Sequence, residues 1–499
     1  MPPTGPRAHR LSRGGPSRAS VVVASALVVL GSLVLGSVVP GGAAGAQSSA
    51  TARSASPGTA GRATGSRLVT PVFSARRIPY LLRSSTGDAA VATTLAKALE
   101  DAPAETCAVV AERGRVVASG GSTGGLLPAS TNKLLTSYAA IEILGPDTRL
   151  RTTVRVAMPP VAGVVSGNLF LVGGGDPLLF TPGFRVTLKD QNQAGTEFSR
   201  LADRIKAAGI TEVTGNIVGD DSRYDAERAV ATWSPSYQKT DAVGALSALN
   251  VNRGISGLSK DPDKPATNRL VGDPPVLSAE TLQSYLRARG ITVRGQPVAG
   301  VAPPDAVELT SLDSLPVKDL AAEVLTWSDN TAAELLTKEI GLAVSKVGST
   351  AAGTAAIADL LRRRGFPLSG LLVADGSGLD RNNRLDCRLL VSVLDGAGQD
   401  SPLAAGLAVA GRSGTLRTRF RNTPADGRLH AKTGTLNDVS ALAGFAVPGD
   451  GSVLTFAMVV NGQPPPKVPA TSFEDALVLG LFSLPPAAPI DALGPKPAT

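Results

Sequence analysis

Two residues one helical turn apart have the side chains of a nucleophile and its base. Ser130 and Lys133 lie in the segment PASTNKLLTSYAAIEILG, whose apolar residues keep helical spacing up to Gly145. Positions i and i+3 share one face of a helix, so the Lys133 amine can reach the Ser130 hydroxyl. A lysine whose pKa is lowered can accept the hydroxyl proton. The pair therefore predicts covalent acyl transfer with Ser130 as nucleophile and Lys133 as base.

A second polar segment, Ser328-Asp329-Asn330, separates two helical patterns. The Ser328 hydroxyl can relay a proton to a leaving amine, and the Asn330 side chain can hold a substrate amide. We expect Asp329 to fix the loop by local hydrogen bonding, because an aspartate before a helix commonly bonds to nearby backbone. The segment predicts a catalytic Ser328 and a substrate-binding Asn330.

A third segment, Lys432-Thr433-Gly434-Thr435, lies in a strand-like run. Lys432 and the hydroxyls of Thr433 and Thr435 can hold a terminal carboxylate, and the charge of Lys432 can lower the pKa of the base. Gly434, which has no side chain, would leave a slot for the substrate backbone. The N–H groups of Thr435 and of the nucleophile can together bind an oxyanion.

Each segment alone also has an ordinary structural explanation. The first suits a polar helix entry, Thr331 and Glu334 suit a capping box, and Lys432 suits an exposed strand. The three together, in this order on a helix start, an interhelical loop and a strand, favour a single catalytic site.

The scarcity of histidine and cysteine excludes other chemistries. Two histidines and two cysteines are too few for a zinc site, and no cofactor is expected. His430 is the only histidine outside the first few residues; we interpret it as a cross-strand polar residue, and no G-x-S-x-G turn accompanies a plausible nucleophile. The longest basic run is Arg362-Arg363-Arg364, so nucleic acid is not an expected partner.

The N-terminus has the pattern of an export signal. Four arginines and no acid precede an apolar run over residues 21–39, and Ala44-Gly45-Ala46 suits cleavage. We expect residues 1–46 to be a signal peptide, whose removal lowers the formal charge from +8 to about +4; an uncleaved run would instead keep the chain in contact with a membrane. The protein is thus expected in the cell envelope, periplasmic or extracytoplasmic.

The remaining chain divides by composition and periodicity. We expect a flexible linker over 47–75, a first folded part over 76–150, a β-rich insert over 151–305, a second part over 306–485 and a disordered tail over 486–499. Three strand-like runs near the end predict an antiparallel meander, closed by a helix at about 472–484. No internal repeat is visible. Cys107 and Cys387 can form a disulfide or remain buried thiols.

The motifs resemble those of the low-molecular-weight penicillin-binding proteins of the D-Ala-D-Ala carboxypeptidase type, the penicillin-binding protein 4 or S13 peptidase family. The segments that carry the resemblance are LLPASTNKLLTSYAA, GNLFLVGGGDPLL, GNIVGDDSRYD, SDNTAAELL, DGSGLDRNN and AKTGTLNDVSALAGF. The resemblance implies an α+β transpeptidase or β-lactamase-like domain, with an antiparallel sheet flanked by helices, split by an insert between Ser130 and Ser328. Class A β-lactamases have a much shorter separation. The insert is shorter than in relatives with two inserted domains, and Ser413 replaces an acid of some relatives.

The resemblance also implies a substrate and an inhibitor. We expect hydrolysis of the terminal D-Ala of peptidoglycan stem peptides, with endopeptidase activity as a second reaction, and trapping of the Ser130 acyl-enzyme by β-lactams. A β-lactamase or esterase on the same scaffold and a non-catalytic cell-wall binding protein are the alternatives. The preferred reaction, the diamino acid accepted, the deacylation base and the oligomeric state stay open.

Overall fold

The computed structural model describes residues 79–188, 190, 193–240, 242–256, 270–448, 452–462 and 468–484, with single positions at 71, 74 and 495. Residues 90–486 belong to one compact unit. A second unit takes residues 23–89 and 487–499, of which the structure describes the start of one helix and the three single positions. The predicted signal peptide lies outside the described residues, as do most of the predicted linker and tail.

The described ranges contain both helices and strands. The α-helices are α1 Pro79–Leu99, α2 Lys133–Leu144, α3 Pro182–Arg185, α4 Ser199–Ala207, α5 Ser236–Lys239, α6 Pro274–Ala288, α7 Val317–Trp327, α8 Asn330–Ser345, α9 Thr350–Arg363, α10 Cys387–Ala397, α11 Pro402–Ala405 and α12 Ser472–Phe482. The strands are β1 Thr106–Glu112, β2 Arg115–Gly121, β3 Arg149–Val156, β4 Val164–Val165, β5 Leu169–Val172, β6 Leu179–Phe180, β7 Thr196–Glu197, β8 Glu212–Val213, β9 Ile217–Asp220, β10 Ile255–Ser256, β11 Leu270–Val271, β12 Thr292–Val293, β13 Pro297–Ala299, β14 Val307–Pro316, β15 Ala408–Val409, β16 Leu429–Leu436, β17 Val439–Ala446 and β18 Leu454–Asn461. Short 3-10 helices span Ala129–Asn132, Asn252–Gly254 and Gly414–Leu416.

A six-stranded antiparallel sheet, in the order β15-β16-β17-β18-β1-β2, forms the centre of the molecule. Side chains alternate between its two faces, so that Val109 belongs to the apolar core shared with α2, α8 and α10 whereas Val110 belongs to the core shared with α1 and α12. Both faces of β17 and β18 are buried, which explains their nearly continuous apolar sequences. The α+β class, the antiparallel meander and the closing helix are confirmed.

The segment between β3 and β14 contains a repeat that the sequence analysis did not find. Three units of two consecutive short strands, β4–β5, β8–β9 and β12–β13, lie side by side. The strands of one unit pair in parallel with those of the next, and each unit has a glycine between its two strands. Two helices, α4 and α6, cover the stack and share its apolar core. The expectation of no internal repeat is therefore wrong for this part of the chain.

Side-chain amides connect successive levels of this stack. The Asn168 Oδ1 accepts a hydrogen bond from the Asn216 N–H at 2.9 Å, and the Asn216 Oδ1 accepts one from the Gln296 N–H at 2.8 Å. Gly215 and Gly295 allow this spacing, because a Cβ at either position would come within 2.6 Å of the level below. We call this stack the amide ladder; it ends at the edge strand β13.

Two long-range features complete the architecture. Cys107 in β1 and Cys387 at the start of α10 form a disulfide, which decides between the two alternatives left by the sequence. Within the described ranges, no single helix is long and apolar enough to cross a membrane, and only α8 and α9, a bent pair, reach that length and composition together.

Candidate active site

Ser130 and Lys133 are held at the junction of two helical segments. Ser130 lies in the 3-10 helix Ala129–Asn132, and Lys133 is the first residue of α2. The Lys133 side chain is fully buried, and its Nζ donates a hydrogen bond of 3.0 Å to the Ser130 Oγ. Ser130 itself is partly exposed, so a substrate can reach its hydroxyl. The pairing predicted from the spacing is present.

The Lys133 amine has two further acceptors besides the serine. Its Nζ donates to the Asn330 Oδ1 at 2.6 Å and to the Ser377 carbonyl at 2.6 Å. An ammonium has three donors, and these three oxygens use all of them. The amine is therefore fixed in direction, and a loss of one proton leaves a lone pair for the proton of Ser130.

Burial is the main cause of the altered lysine pKa values. It lowers the pKa of Lys133 to about 8, against the charges of Asp375, Glu334 and Asp329, which raise it. The pKa of Lys432 is lowered well below its ordinary value, first by burial and then by the charge of Lys133. Desolvation, one of the two causes expected from the sequence, is thus the first cause for both lysines, and the like charge, the other cause, lowers the pKa of Lys432.

The Ser328-Asp329-Asn330 loop joins α7 to α8. Ser328 ends α7 in the left-handed conformation, with φ of 61°, and among the described residues its hydroxyl bonds to neither Ser130 nor Lys133. The Asp329 carboxylate caps α8 by accepting from the Ala332 N–H at 3.0 Å, as expected of a loop-fixing residue.

Asn330 is fixed from both ends of its amide. Its Oδ1 accepts from Lys133, and its Nδ2 donates to the Ala242 carbonyl at 2.7 Å. These partners determine the orientation of the amide, because an ammonium needs an acceptor and a carbonyl needs a donor. One amide hydrogen is thus already engaged within the protein and is not free for the substrate.

The strand β16 places the third motif beside the nucleophile. The fully buried Lys432 donates to the carbonyl of Thr433 at 2.8 Å, and the Thr433 hydroxyl bonds to that of Thr415 at 2.9 Å. Thr435 is exposed and pairs with Ser440 across the sheet. All four motif residues therefore lie on one strand that contacts the Ala129–Asn132 helix.

Gly434 has a different reason to be glycine from the one expected. A Cβ at this position would lie 2.8 Å from the Pro128 carbonyl oxygen and 3.1 Å from the Thr131 N. The space is therefore occupied by the protein's own turn around Ser130, and the missing side chain allows β16 to approach the nucleophile closely.

Sequence reasoning missed two buried carboxyl groups close to Lys133. Glu334 accepts from the N–H groups of Gly376 and Ser377, at 3.1 and 2.7 Å, and burial raises its pKa to about 8. Asp375 accepts from Trp233 Nε1 at 2.9 Å. Glu334 was assigned to an alternative capping box; the cap is Asp329, so that alternative is wrong.

One signal for these groups was present in the sequence. Glu334 follows Asn330 by four residues, so both lie on one face of α8, and the segment 375–383 belongs to the motifs that carried the resemblance. His430, by contrast, lies half-buried between Val409 and Phe445 in the sheet, and burial lowers its pKa. Its position agrees with a cross-strand role.

The amino-acid sequence is similar to those of known carboxypeptidases. The D-Ala-D-Ala carboxypeptidase 3 (S13) family model matches residues 89–275 and 255–479. A D-alanyl-D-alanine carboxypeptidase of Actinomadura sp. (strain R39) is 30% identical over 430 residues, which cover 71% of this chain and 77% of that protein. A carboxypeptidase of Mycobacterium tuberculosis is 30% identical over 354 residues, with 68% and 72% covered.

A solved structure has the same fold. Penicillin-binding protein 4 of Haemophilus influenzae superposes with a TM-score of 0.64 at 21% identity, covering 78% of this chain and 98% of that one. That protein has also been solved in complex with a β-lactam, with a TM-score of 0.59.

Proposed function

The chain belongs to the D-Ala-D-Ala carboxypeptidase 3 (S13) family of peptidases, and from that premise we propose that it works through an acyl-enzyme on Ser130. It is a serine-type D-Ala-D-Ala carboxypeptidase that acts on peptidoglycan stem peptides. The observation that supports the assignment of the nucleophile most directly is the 3.0 Å hydrogen bond from the Lys133 Nζ to the Ser130 Oγ.

In the acylation step, neutral Lys133 accepts the proton of the Ser130 hydroxyl while the oxygen attacks the carbonyl carbon of the penultimate D-Ala. The C–N bond to the terminal D-Ala then breaks, and its amine takes up a proton, for which we assign the relay to Ser328. Water hydrolyses the resulting ester and releases the shortened peptide. The N–H groups of Ser130 and Thr435 are the proposed donors to the oxyanion.

Substrate binding is assigned to the motif residues around this pair. Lys432, Thr433 and Thr435 are the proposed partners of the terminal carboxylate; Thr433 is already aligned by Thr415, and a bound anion would favour the charged form of the buried Lys432. Asn330 is proposed to orient both the substrate amide and the Lys133 amine. Gly434 lets the strand that carries these groups approach the nucleophile.

Members of this family are bacterial cell-wall peptidases and generally extracytoplasmic. For this chain we propose export through residues 1–46, with an insert over 151–305 that divides the catalytic domain into 76–150 and 306–485. The disulfide between Cys107 and Cys387 supports an oxidising compartment. A cross-link endopeptidase activity and inhibition by β-lactams belong to the same proposal.

The test is intact-mass analysis of the mature protein after incubation with benzylpenicillin, beside a Ser130→Ala variant. We expect one stable adduct on the parent and none on the variant, followed by release of D-Ala from a stem peptide. Drug hydrolysis without a stable adduct would indicate a β-lactamase. Neither adduct nor hydrolysis would favour the non-catalytic cell-wall protein and contradict the mechanism.

A further inference from the structure

Residues 242–254 of the insert, which we call the clasp, contact three consecutive residues at the start of α8: its N-cap Asp329, Asn330 and Thr331. Arg253 forms an ion pair with Asp329. The Ala242 carbonyl accepts from the Asn330 Nδ2 at 2.7 Å, and the Gly244 N–H donates to the Thr331 hydroxyl at 2.9 Å.

The clasp is itself tightly folded. A Cβ at Gly244 would lie 1.6 Å from the Arg253 carbonyl oxygen, so the two ends of the clasp meet there. Arg253 has a left-handed backbone, with φ of 60°, and its guanidinium lies 5.9 Å from the ring centroids of both Phe180 and Phe184. The side chain that reaches the catalytic loop is thus held by both its backbone and its aromatic neighbours.

Of the three contacts of the clasp, charge and burial make the ion pair with Asp329 the most important. The Asp329 side chain is 4% exposed, and the Arg253 side chain is 23% exposed. A carboxylate with so little access to water needs a charged partner. The same carboxylate caps α8, the helix that begins with Asn330. Arg253 therefore acts on the residue that connects Ser328 to Asn330.

The insert does not depend on this contact to stay attached. Lys338 and Glu339 in α8 pair with Asp225 and Arg223 of the insert, and the Tyr224 hydroxyl donates to the Glu339 carboxylate at 2.8 Å. These contacts lie two to three turns further along α8. Loss of Arg253 would consequently change the loop rather than detach the insert.

We propose that the clasp is a positioning element of the catalytic site, in which Arg253 acts through Asp329 and Asn330 on the direction of the Lys133 amine. The inference rests on the proposed function, because it assumes that Lys133 activates Ser130. It makes the insert a part of the catalytic apparatus rather than an accessory module.

Three variants separate positioning from simple stability. Arg253→Met keeps an apolar side chain between the two phenylalanines but leaves Asp329 without its charge partner. Asp329→Asn keeps the helix cap and removes the charge. The double variant leaves no unpaired charge at the ion pair, yet it lacks the link between insert and loop. Arg294→Gln, which breaks an exposed ion pair with Glu212 elsewhere in the insert, is the matched control.

The measurements are the benzylpenicillin acylation rate, the fraction of protein that is acylated at completion, kcat and KM for D-Ala release, and Tm. We expect the double variant to have a Tm close to that of the parent and to be acylated completely, but with a rate constant lower by at least 10-fold and up to about 100-fold. The loss should fall on kcat more than on KM. The Arg294→Gln control should match the parent.

If the double variant has both the Tm and the acylation rate constant of the parent, the proposal is overturned. If that variant does not fold, Arg253→Lys, which keeps the charge but loses the two-pronged donor, should still be slower than the parent, and an equal rate would count against positioning. A parent protein that forms no Ser130 adduct would contradict the acyl-enzyme and this inference with it. A parent that is acylated no faster than the Arg253 and Asp329 variants would contradict only the proposed role of the clasp.

Discussion

The charge of Lys133 is set by opposing influences within one buried space. Burial lowers the pKa of the amine to about 8, whereas Asp375, Glu334 and Asp329 raise it. The amine therefore titrates close to physiological pH, where a general base is most effective. A lysine in the same position but open to water would remain charged and could not accept the serine proton.

The first prediction concerns the pH dependence of acylation. Only the neutral amine can act as base, so the acylation rate should rise with pH and level off above about 8. Glu334→Gln removes a carboxyl group whose ionised form raises the Lys133 pKa, so the part of the rise near pH 8, where Glu334 ionises, should move to lower pH. The measurement is the pH profile of benzylpenicillin acylation for parent and variant.

Glu474→Gln provides the control for this experiment. Glu474 is equally buried, but it bonds to Ser440 and Arg419 and is not among the carboxyl groups that raise the Lys133 pKa. Its profile should coincide with that of the parent. A Glu334→Gln profile that stays in place or moves to higher pH would show that Glu334 does not influence the base.

Spacing and residue type led to the prediction that Ser130, Lys133, Asn330 and Lys432 share one site, because their chemistry is restrictive. The structure brings Lys133 within hydrogen-bond distance of Ser130 and Asn330. The burial of Glu334 could not be predicted in the same way. Its environment is made by the 375–383 loop, and only the fold determines which carboxylate is withdrawn from water.

Strand β16 and the turn around Ser130 lie so close that a single methyl group matters. Gly434→Ala would place a Cβ 2.8 Å from the Pro128 carbonyl, so the strand or the turn must move. We expect acylation to slow by at least about 10-fold and the free energy of unfolding to fall by about 1 to 3 kcal/mol. Stopped-flow acylation and urea denaturation measure the two effects.

Gly124→Ala is the corresponding control, because the nearest atom to a Cβ there is the Ser122 hydroxyl at 3.8 Å. It should leave the acylation rate unchanged. A Gly434→Ala protein with the parent's rate would mean that the close approach of the strand has no importance for the reaction.

Strands long enough to show a hydrophobic pattern were predicted from the sequence, and very short strands were not. The strand-like runs of β1, β16, β17 and β18 are visible in the sequence, since each is seven or eight residues long. The strands β4, β8 and β12 have two residues each and carry no periodic signal. The repeat also escaped notice because the glycines of the three levels are separated by 48 and 80 residues.

At the scale of the whole molecule, the disulfide joins β1 to α10 across 280 residues of sequence. Replacing both Cys107 and Cys387 by alanine should lower the free energy of unfolding by about 5 kcal/mol in the loop-entropy description. The acylation rate should not change, because neither residue belongs to the candidate active site. Urea denaturation with a thiol titration of the parent measures the effect.

Two reactive thiols in the denatured, unreduced parent would contradict the disulfide. An unchanged denaturation midpoint in the double alanine variant would show that the link adds no stability. The sequence left this pairing open since two cysteines 280 residues apart carry no pattern, and only the folded chain places their Cα atoms 6.0 Å apart.

The attachment of the insert could not be predicted from sequence for a related reason. Arg253 and Asp329 are distant in the chain, and an ion pair between them leaves no periodic trace. The boundaries proposed from composition, 151 and 305, stay a prediction; β3 and β14, which lie close to these positions, pair antiparallel and bring the two ends of the predicted insert together. Topology of this kind follows from strand patterns, whereas individual contacts follow from packing.

The amide ladder has one further consequence, for the evolution of chain length. Successive levels bond to one another, as in solenoid proteins, so a level can be added at the free edge without disturbing those already in place. At β13 that edge begins with Pro297, which has no N–H to offer another strand. A single substitution at Pro297 would thus remove a natural stop to further growth of the insert, with the catalytic residues left where they are.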